Sequence, residues 1–127
     1  MRRAAIAALL TGFFASVSPA GAACLAYGGR VEVTGTLVRV VFAGPPNYES
    51  VAHGDRPEPQ FVIRLDQPQC VDAVPGIRDL ILVLTPPQFA QLRPRLGTRV
   101  TLSGGLMAAE TGHHHTPVML ADVMLVR

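Results

Sequence analysis

Residues 111–117 read Thr-Gly-His-His-His-Thr-Pro and hold three of the four histidines of the chain. In an extended stretch alternate residues share a face. His113 and His115 are therefore expected to point together, about 6.5–7 Å apart at Cα, with His114 turned away. Two neutral imidazoles on one face suit Zn²⁺ or Cu²⁺, but such a pair needs further donors. The proline- and glycine-rich segment 44–60 supplies candidates in Tyr48, Glu49, His53 and Asp55. The expected metal set is His113, His115 and His53. Two other readings of the same residues stand beside it. The rings can bond to backbone groups and lock the turn, helped by Thr111, Gly112 and Thr116. Or Tyr48, Glu49, His53, Asp55 and His113, His114 and His115 together form a surface for a polar ligand or a protein partner.

No constellation for catalysis accompanies them. The two serines beyond the N-terminal segment, Ser50 and Ser103, lie outside any Gly-x-Ser-x-Gly elbow. His53 and Asp55 resemble half of a triad, but two loop residues so close in sequence are commonplace. No paired carboxylates stand out, and the chain is read as a non-enzyme. Arg93, Arg95 and Arg99 fall near the end of a short helical stretch, where cations suit the helix dipole.

The elements that would position these residues can be read from periodicity. Residues 30–43 alternate as a long strand, with Val31, Val33 and Leu37 on one face and Gly35 where a bend is expected. Residues 44–60, with four prolines, read as a loop. Residues 61–66 form a second strand, and 79–84 a third that is apolar on both faces. Thr85 and Pro86 open a helix carrying Phe89, Leu92 and Leu96. Residues 99–107 and 117–126 complete the strands, joined by the histidine turn. The expected fold class is mainly β: a small OB-like five-stranded Greek-key barrel with one short helix between strands three and four. An open α+β arrangement is the alternative. In the barrel, the loops 44–60 and 108–117 border one face.

The N-terminal segment sets the compartment. Arg2 and Arg3, an uncharged run over 4–18, and Ala20-Gly21-Ala22 have the order of a cleaved signal peptide. Residues 1–22 are therefore expected to be removed, leaving one domain over 23–127 in the periplasm or outside the cell. Cleavage before Cys24 would permit lipid attachment, but Gly21 stands where a lipoprotein signal carries leucine. No later run reaches the roughly 20 apolar residues of a transmembrane helix. In an oxidising compartment Cys24 and Cys70 read as one disulfide. It falls on one side of an antiparallel pair of first and second strands, in accord with the barrel.

Charge narrows the partners. The chain has 11 Arg and no Lys against nine acidic residues. Two arginines leave with the signal, so the remainder is near neutral. That argues against nucleic acid, whose non-specific affinity comes from phosphate neutralisation, and leaves an envelope protein or a polar ligand.

The stretches GPPNYESVAHGDRPEP, LDQPQCV and RLGTRVTLSGGLMAAETGHHHTPVMLADV resemble an uncharacterised bacterial exported family, domain of unknown function 4431. The resemblance is clearest over residues 75–126, and TGHHHTPV is its most distinctive piece. Its signature falls on Thr111, Gly112, His113, His114, His115, Thr116 and Pro117. Family members are similar in being small exported proteins, some joined to other periplasmic modules. The resemblance implies no catalytic residue and no established cofactor. The expectation is an exported binding or interaction module, with transition-metal binding through the histidine turn as the alternative.

Overall fold

The computed structural model describes residues 23–127. The signal peptide expected over 1–22 lies outside the described residues. The chain is mainly β, with five strands: β1 (Arg30–Ala43), β2 (Pro57–Val71), β3 (Val74–Leu82), β4 (Arg99–Ala108) and β5 (Val118–Leu125). One short helix, α1 (Pro86–Leu92), followed by a 3-10 turn at Arg93–Arg95, lies between β3 and β4. The strands close into a ring in the order β1-β2-β3-β5-β4. All neighbours are antiparallel except β3 and β5, which run parallel. The closure excludes the open α+β arrangement.

Closing so few strands requires a large stagger between them. From Val38 in β1, successive cross-strand partners are Val62, Ile81, Met119 and Met107. Continuing the β4–β1 register from Met107 returns to Gly28, ten residues before Val38. β1 serves both ends of the ring, and Gly35 lies where it passes from one neighbour to the other, pairing with Leu65 on one side and Val100 on the other. A side chain there has no room: a Cβ would sit 2.6 Å from the Arg64 carbonyl carbon and 2.8 Å from Leu65 Cα.

Inward-facing residues fill the ring as alternation requires. Leu37, Ile63, Leu80, Leu102 and Leu120 are almost wholly buried. α1 covers one end, burying Leu92 and setting Phe89 edge-on to Phe61 with centroids 5.1 Å apart. The helix begins as its sequence suggests: Thr85 N–H donates to Gln88 Oε1 at 2.8 Å, and Gln88 Nε2 donates to the Val123 carbonyl at 2.9 Å. A second apolar cluster lies on the outer face of the ring. Val62, Ile81 and Met119 are buried there, with Val38, Val40, Phe42 and Met107 packed around them. This outer cluster is why β3 is apolar on both faces.

β2 is much longer than residues 61–66, and the loop before it correspondingly shorter, running only from 44 to 56. Prolines mislead here. The Arg56 N–H and carbonyl both bond toward β1, to Pro45 O and Gly44 N. Backbone groups alternate sides along a strand, so Pro57 and Pro59 face away from β1. On that edge β3 pairs only from Val62 onward, and a proline loses no ladder bond. The open edge is thereby blocked against stray strand pairing. Likewise Pro75 and Gly76 lie inside β3, and the reversal between β2 and β3 occurs at Asp72, with φ at 47°.

The disulfide joins Cys24 to Cys70 across 46 residues of sequence. It is reinforced by Leu25 N–H to Cys70 O and Asp72 N–H to Leu25 O, each 2.8 Å. Closing a loop of this length is expected to contribute about 4 kcal/mol by constraining the unfolded chain. A Cys24→Ser/Cys70→Ser variant should lose about that much, read by urea unfolding with and without a reductant. A variant insensitive to reductant yet as stable as the parent would contradict this.

Among the described residues, no helix is long and apolar enough to cross a membrane.

Candidate functional site

Beyond the ring, the ends of β1 and β2 project as a hairpin, with Phe42 opposite Glu58. The loop joining them, 44–56, is built around one side chain. Asp55 is 5% exposed, and its Oδ1 accepts the Asn47 N–H at 2.8 Å. Its Oδ2 accepts the N–H groups of Glu49 and Ser50, also at 2.8 Å. These backbone bonds, that from Ser50 the strongest, hold its carboxyl below the usual carboxylate range against the opposing effect of burial. Asp55 is thus an internal brace. It holds Tyr48 in a left-handed conformation, φ 58°, with the ring partly exposed.

The β4–β5 turn folds toward this loop and is itself locked. His114 Nδ1 accepts the N–H groups of Glu110 at 2.9 Å and Thr111 at 3.3 Å. Thr116 is buried; its hydroxyl donates to Val118 O at 2.8 Å and accepts the Ile81 N–H at 3.2 Å. The turn is therefore pinned to β3. His114→Ala should remove the acceptor for two backbone donors and lower the melting temperature by roughly 4–8 °C. An unchanged melting curve would exclude His114 from the lock.

With His114 spent on its own turn, His113 and His115 reach across to β2. His113 Nδ1 lies 2.5 Å from Glu58 Oε1, and His115 Nε2 lies 2.7 Å from Oε2. One carboxylate thus bridges two imidazoles. The His115 bond, then that of His113 with the charge on both rings, holds the Glu58 carboxyl below its ordinary range, opposed by partial burial. His115 also lies flat against Phe42, with centroids 4.7 Å apart, and the Tyr48 ring stands edge-on to His113 at 5.8 Å. Two glycines permit the close approach. A Cβ on Gly44 would strike the Glu58 carboxyl carbon at 2.7 Å, and one on Gly112 the Tyr48 ring at 2.9 Å. The two loops are in this way joined through Glu58 and Tyr48.

Of the residues singled out by sequence, Tyr48, His113 and His115 meet here. Asp55 shapes the first loop and His114 the second. Glu49 lends its backbone N–H to Asp55. His53 lies on an exposed 3-10 turn, Val51–His53, and no hydrogen bond or ring contact joins it to the histidine turn among the described residues. Arg99 pairs with Asp66 at 2.6 Å. Glu58, Phe42 and Gly44 were not singled out. The signal for Glu58 was its place in a strand with the spacing to face the turn, hidden by the flanking prolines.

Could this cluster hold a transition metal? His113 Nδ1 and His115 Nε2 are each bonded to a different oxygen of Glu58. Among the described residues, no group of three or more His, Cys, Asp or Glu side chains is placed to hold a metal ion. As arranged, the residues do not fit a metal centre.

Beside the turn lies a shallow depression of about 280 Å³, lined by Gln60, Ile81, Val83, Phe89, His113 and His114 among others. It opens where β2 runs on without β3 beside it.

Ring order, bridged loops and depression together describe a small mainly β domain with one elaborated end. Comparison with known proteins adds a similarity: residues 80–124 match the family model described as Domain of unknown function (DUF4431). The matched stretch runs from β3 through the histidine turn into β5, which bears out the resemblance carried by TGHHHTPV. No curated protein and no solved structure matches the chain.

Proposed function

We propose that this chain is an exported OB-like Greek-key barrel that works as a binding module, with the joined loops 44–56 and 109–117 as its binding surface. The barrel reading is supported by the ring order, the parallel β3–β5 pair and the helix between β3 and β4. In OB-folds the second and third strands and these two loops border the ligand. Export is supported by the disulfide and by the signal-like order of the first residues. The observation that carries the binding reading is the Glu58 bridge. It ties the histidine turn to the start of β2, beside the loop 44–56 whose Tyr48 ring stands against His113, so that segments more than fifty residues apart in sequence meet in one surface with less to order on binding. Tyr48 and Val51, 41% and 42% exposed, stand on it as apolar anchors, and the partner is an envelope protein or a polar ligand.

The test is photo-crosslinking in the living host, with the reactive residue placed at Tyr48 or, as a control toward the other end of β5, at exposed Met124. Adducts at position 48 and not at 124 would support the reading; none at 48, or equal yields at both, would contradict it. The alternative is Zn²⁺ or Cu²⁺ held by His113, His115 and His53, which would use the ring nitrogens that Glu58 does not engage. Calorimetric titration of untagged residues 23–127 separates the two readings. One-to-one submicromolar binding, lost in a His113→Ala/His115→Ala variant, would put the metal reading in place of the first.

A further inference from the structure

The wall of the ring is open between the start of β1 and the end of β2. Backbone groups alternate sides along a strand. The Leu37 N–H donates to the Thr98 carbonyl at 3.0 Å, and the Leu37 carbonyl accepts the Gly97 N–H at 2.7 Å. From there the β1–β4 register runs without a shift to Arg30. Odd-numbered residues of β1 therefore serve β4, and the N–H and C=O groups of Glu32 face the side of β2. No residue of β2 is paired with Glu32, because the β1–β2 ladder ends at Gly35 and Leu65. Across the gap, Asp66, Gln67 and Pro68 have a partner in neither β1 nor β3. The gap is closed again at Leu25, which bridges to Val71 in the parallel sense beside the Cys24–Cys70 disulfide. Between these junctions lies a cavity of about 280 Å³, bordered by Leu25, Glu32, Val33, Thr34, Asp66 and Gln69 among others. It lies at the opposite end of β1 and β2 from the loop 44–56.

An unpaired strand edge is a template for another extended chain. Recognition by strand addition takes its affinity from such backbone groups and its specificity from alternate side chains. Leu25 shows the arrangement in miniature: its N–H donates to the Cys70 carbonyl and its carbonyl accepts the Asp72 N–H, each at 2.8 Å. In a strand added beside β1, each side chain shares the face of the residue opposite. Val31 and Val33 pack with the interior cluster, as do Leu25 and Leu65, so residues opposite these valines meet apolar surface. The residue between them stands opposite Glu32, on the outer face. Glu32 is exposed, and its carboxylate has no hydrogen bond or ion pair among the described residues. Arg30, on the same face of β1, is engaged with Ser103 Oγ and the Asp122 carbonyl, and Arg99 with Asp66. A basic side chain complements this position, and an acidic one does not.

We propose that this gap is a docking site for an extended segment of a partner polypeptide, about three residues long, that pairs with the Glu32 backbone and sets a lysine or arginine beside the Glu32 carboxylate between two apolar residues. The site is separate from the surface around Tyr48 and stands or falls without it.

The test is an amide-resolved NMR titration of untagged residues 23–127 with the acetylated and amidated tripeptide Val-Lys-Val. Saturable shifts are expected at Glu32, Thr34, Gln67 and Gln69, with the signals of 109–117 left in place. Val-Glu-Val should bind about tenfold more weakly or worse. So should Val-Lys-Val methylated on the lysine backbone nitrogen, which has lost its donor to the Glu32 carbonyl. Glu32→Lys, an exposed change, is expected to invert the preference in favour of Val-Glu-Val and to leave thermal unfolding unchanged. No saturable shift, equal binding of the methylated peptide, or a preference that Glu32→Lys leaves in place would each overturn the proposal. Concentration-dependent shifts of the same signals without peptide would overturn it too, by making a second copy of the chain the occupant.

Discussion

Gly35→Ala is expected to cost about 4 kcal/mol or more, a large share of the roughly 5–15 kcal/mol that holds a domain of this size. The reason is what surrounds the missing side chain. Gly35 is paired to β2 and β4 at once, and the atoms that a Cβ would meet belong to the backbone of Arg64 and Leu65. Side chains can rotate away from an added methyl, whereas paired strands must separate. Separation at this point opens the ring where β1 passes from one neighbour to the other. Gly105→Ala is the control, because a Cβ there meets nothing within 4 Å, and it should be tolerated far better. Urea unfolding of both variants decides the matter. Equal stability of Gly35→Ala and the parent would mean that β1 does not approach the Arg64–Leu65 backbone as described.

The second large effect concerns Glu58 and acidity. Its carboxyl is held below the ordinary range by His115 and then His113. A group whose folded value is depressed contributes stability that is complete above its unfolded value and lost as the pH falls through the folded one. Glu58→Gln keeps the size of the side chain and removes the charge. The variant should melt several degrees below the parent at neutral pH. The gap should close as the pH is lowered through and below about 4, the range of an unperturbed glutamate. Asp55, depressed by backbone bonds, contributes in the same direction in both proteins and cancels from the comparison. A gap that stays constant from pH 7 to pH 3, or widens, would show that the charge on Glu58 does not hold the loops.

Much of this was legible from residue order, and the exceptions have physical causes. Alternation over 30–43 gave β1 its limits because one face of the strand packs the interior, and Gly35 marks the point where β1 pairs on both sides. Thr85 and Pro86 announced a helix start, the first as a capping residue and the second because it has no N–H to leave unpaired there. The pairing of Cys24 with Cys70 followed from there being two cysteines and an oxidising compartment, and it agrees with the antiparallel β1–β2 pair. What misled was proline. Pro57 and Pro59 carry the composition of a loop, and only the direction of the Arg56 backbone groups, a tertiary fact, places them on a free strand edge. That same misreading concealed Glu58, which as a loop residue had no defined facing and as a β2 residue stands opposite Phe42. The histidine turn was legible in its alternation: His113 and His115 share a face and His114 does not. The content of that face depended on a carboxylate more than fifty residues away, and local sequence has no means of naming it. His53, chosen for its chemistry alone, lies on a turn whose shape is set by Asp55 and Ser50.

The central claim is that Glu58, by anchoring the histidine turn to β2 beside Tyr48, makes one surface of the two loops. Backbone amide exchange, followed residue by residue in the parent and in Glu58→Ala, tests it most directly. If the claim holds, amides in 45–56 and in 109–117 will lose protection together, by about tenfold, while those of the paired strands in β2, β3 and β4 keep theirs. If exchange quickens in one loop alone, or in neither, the loops are independent and the composite surface does not exist.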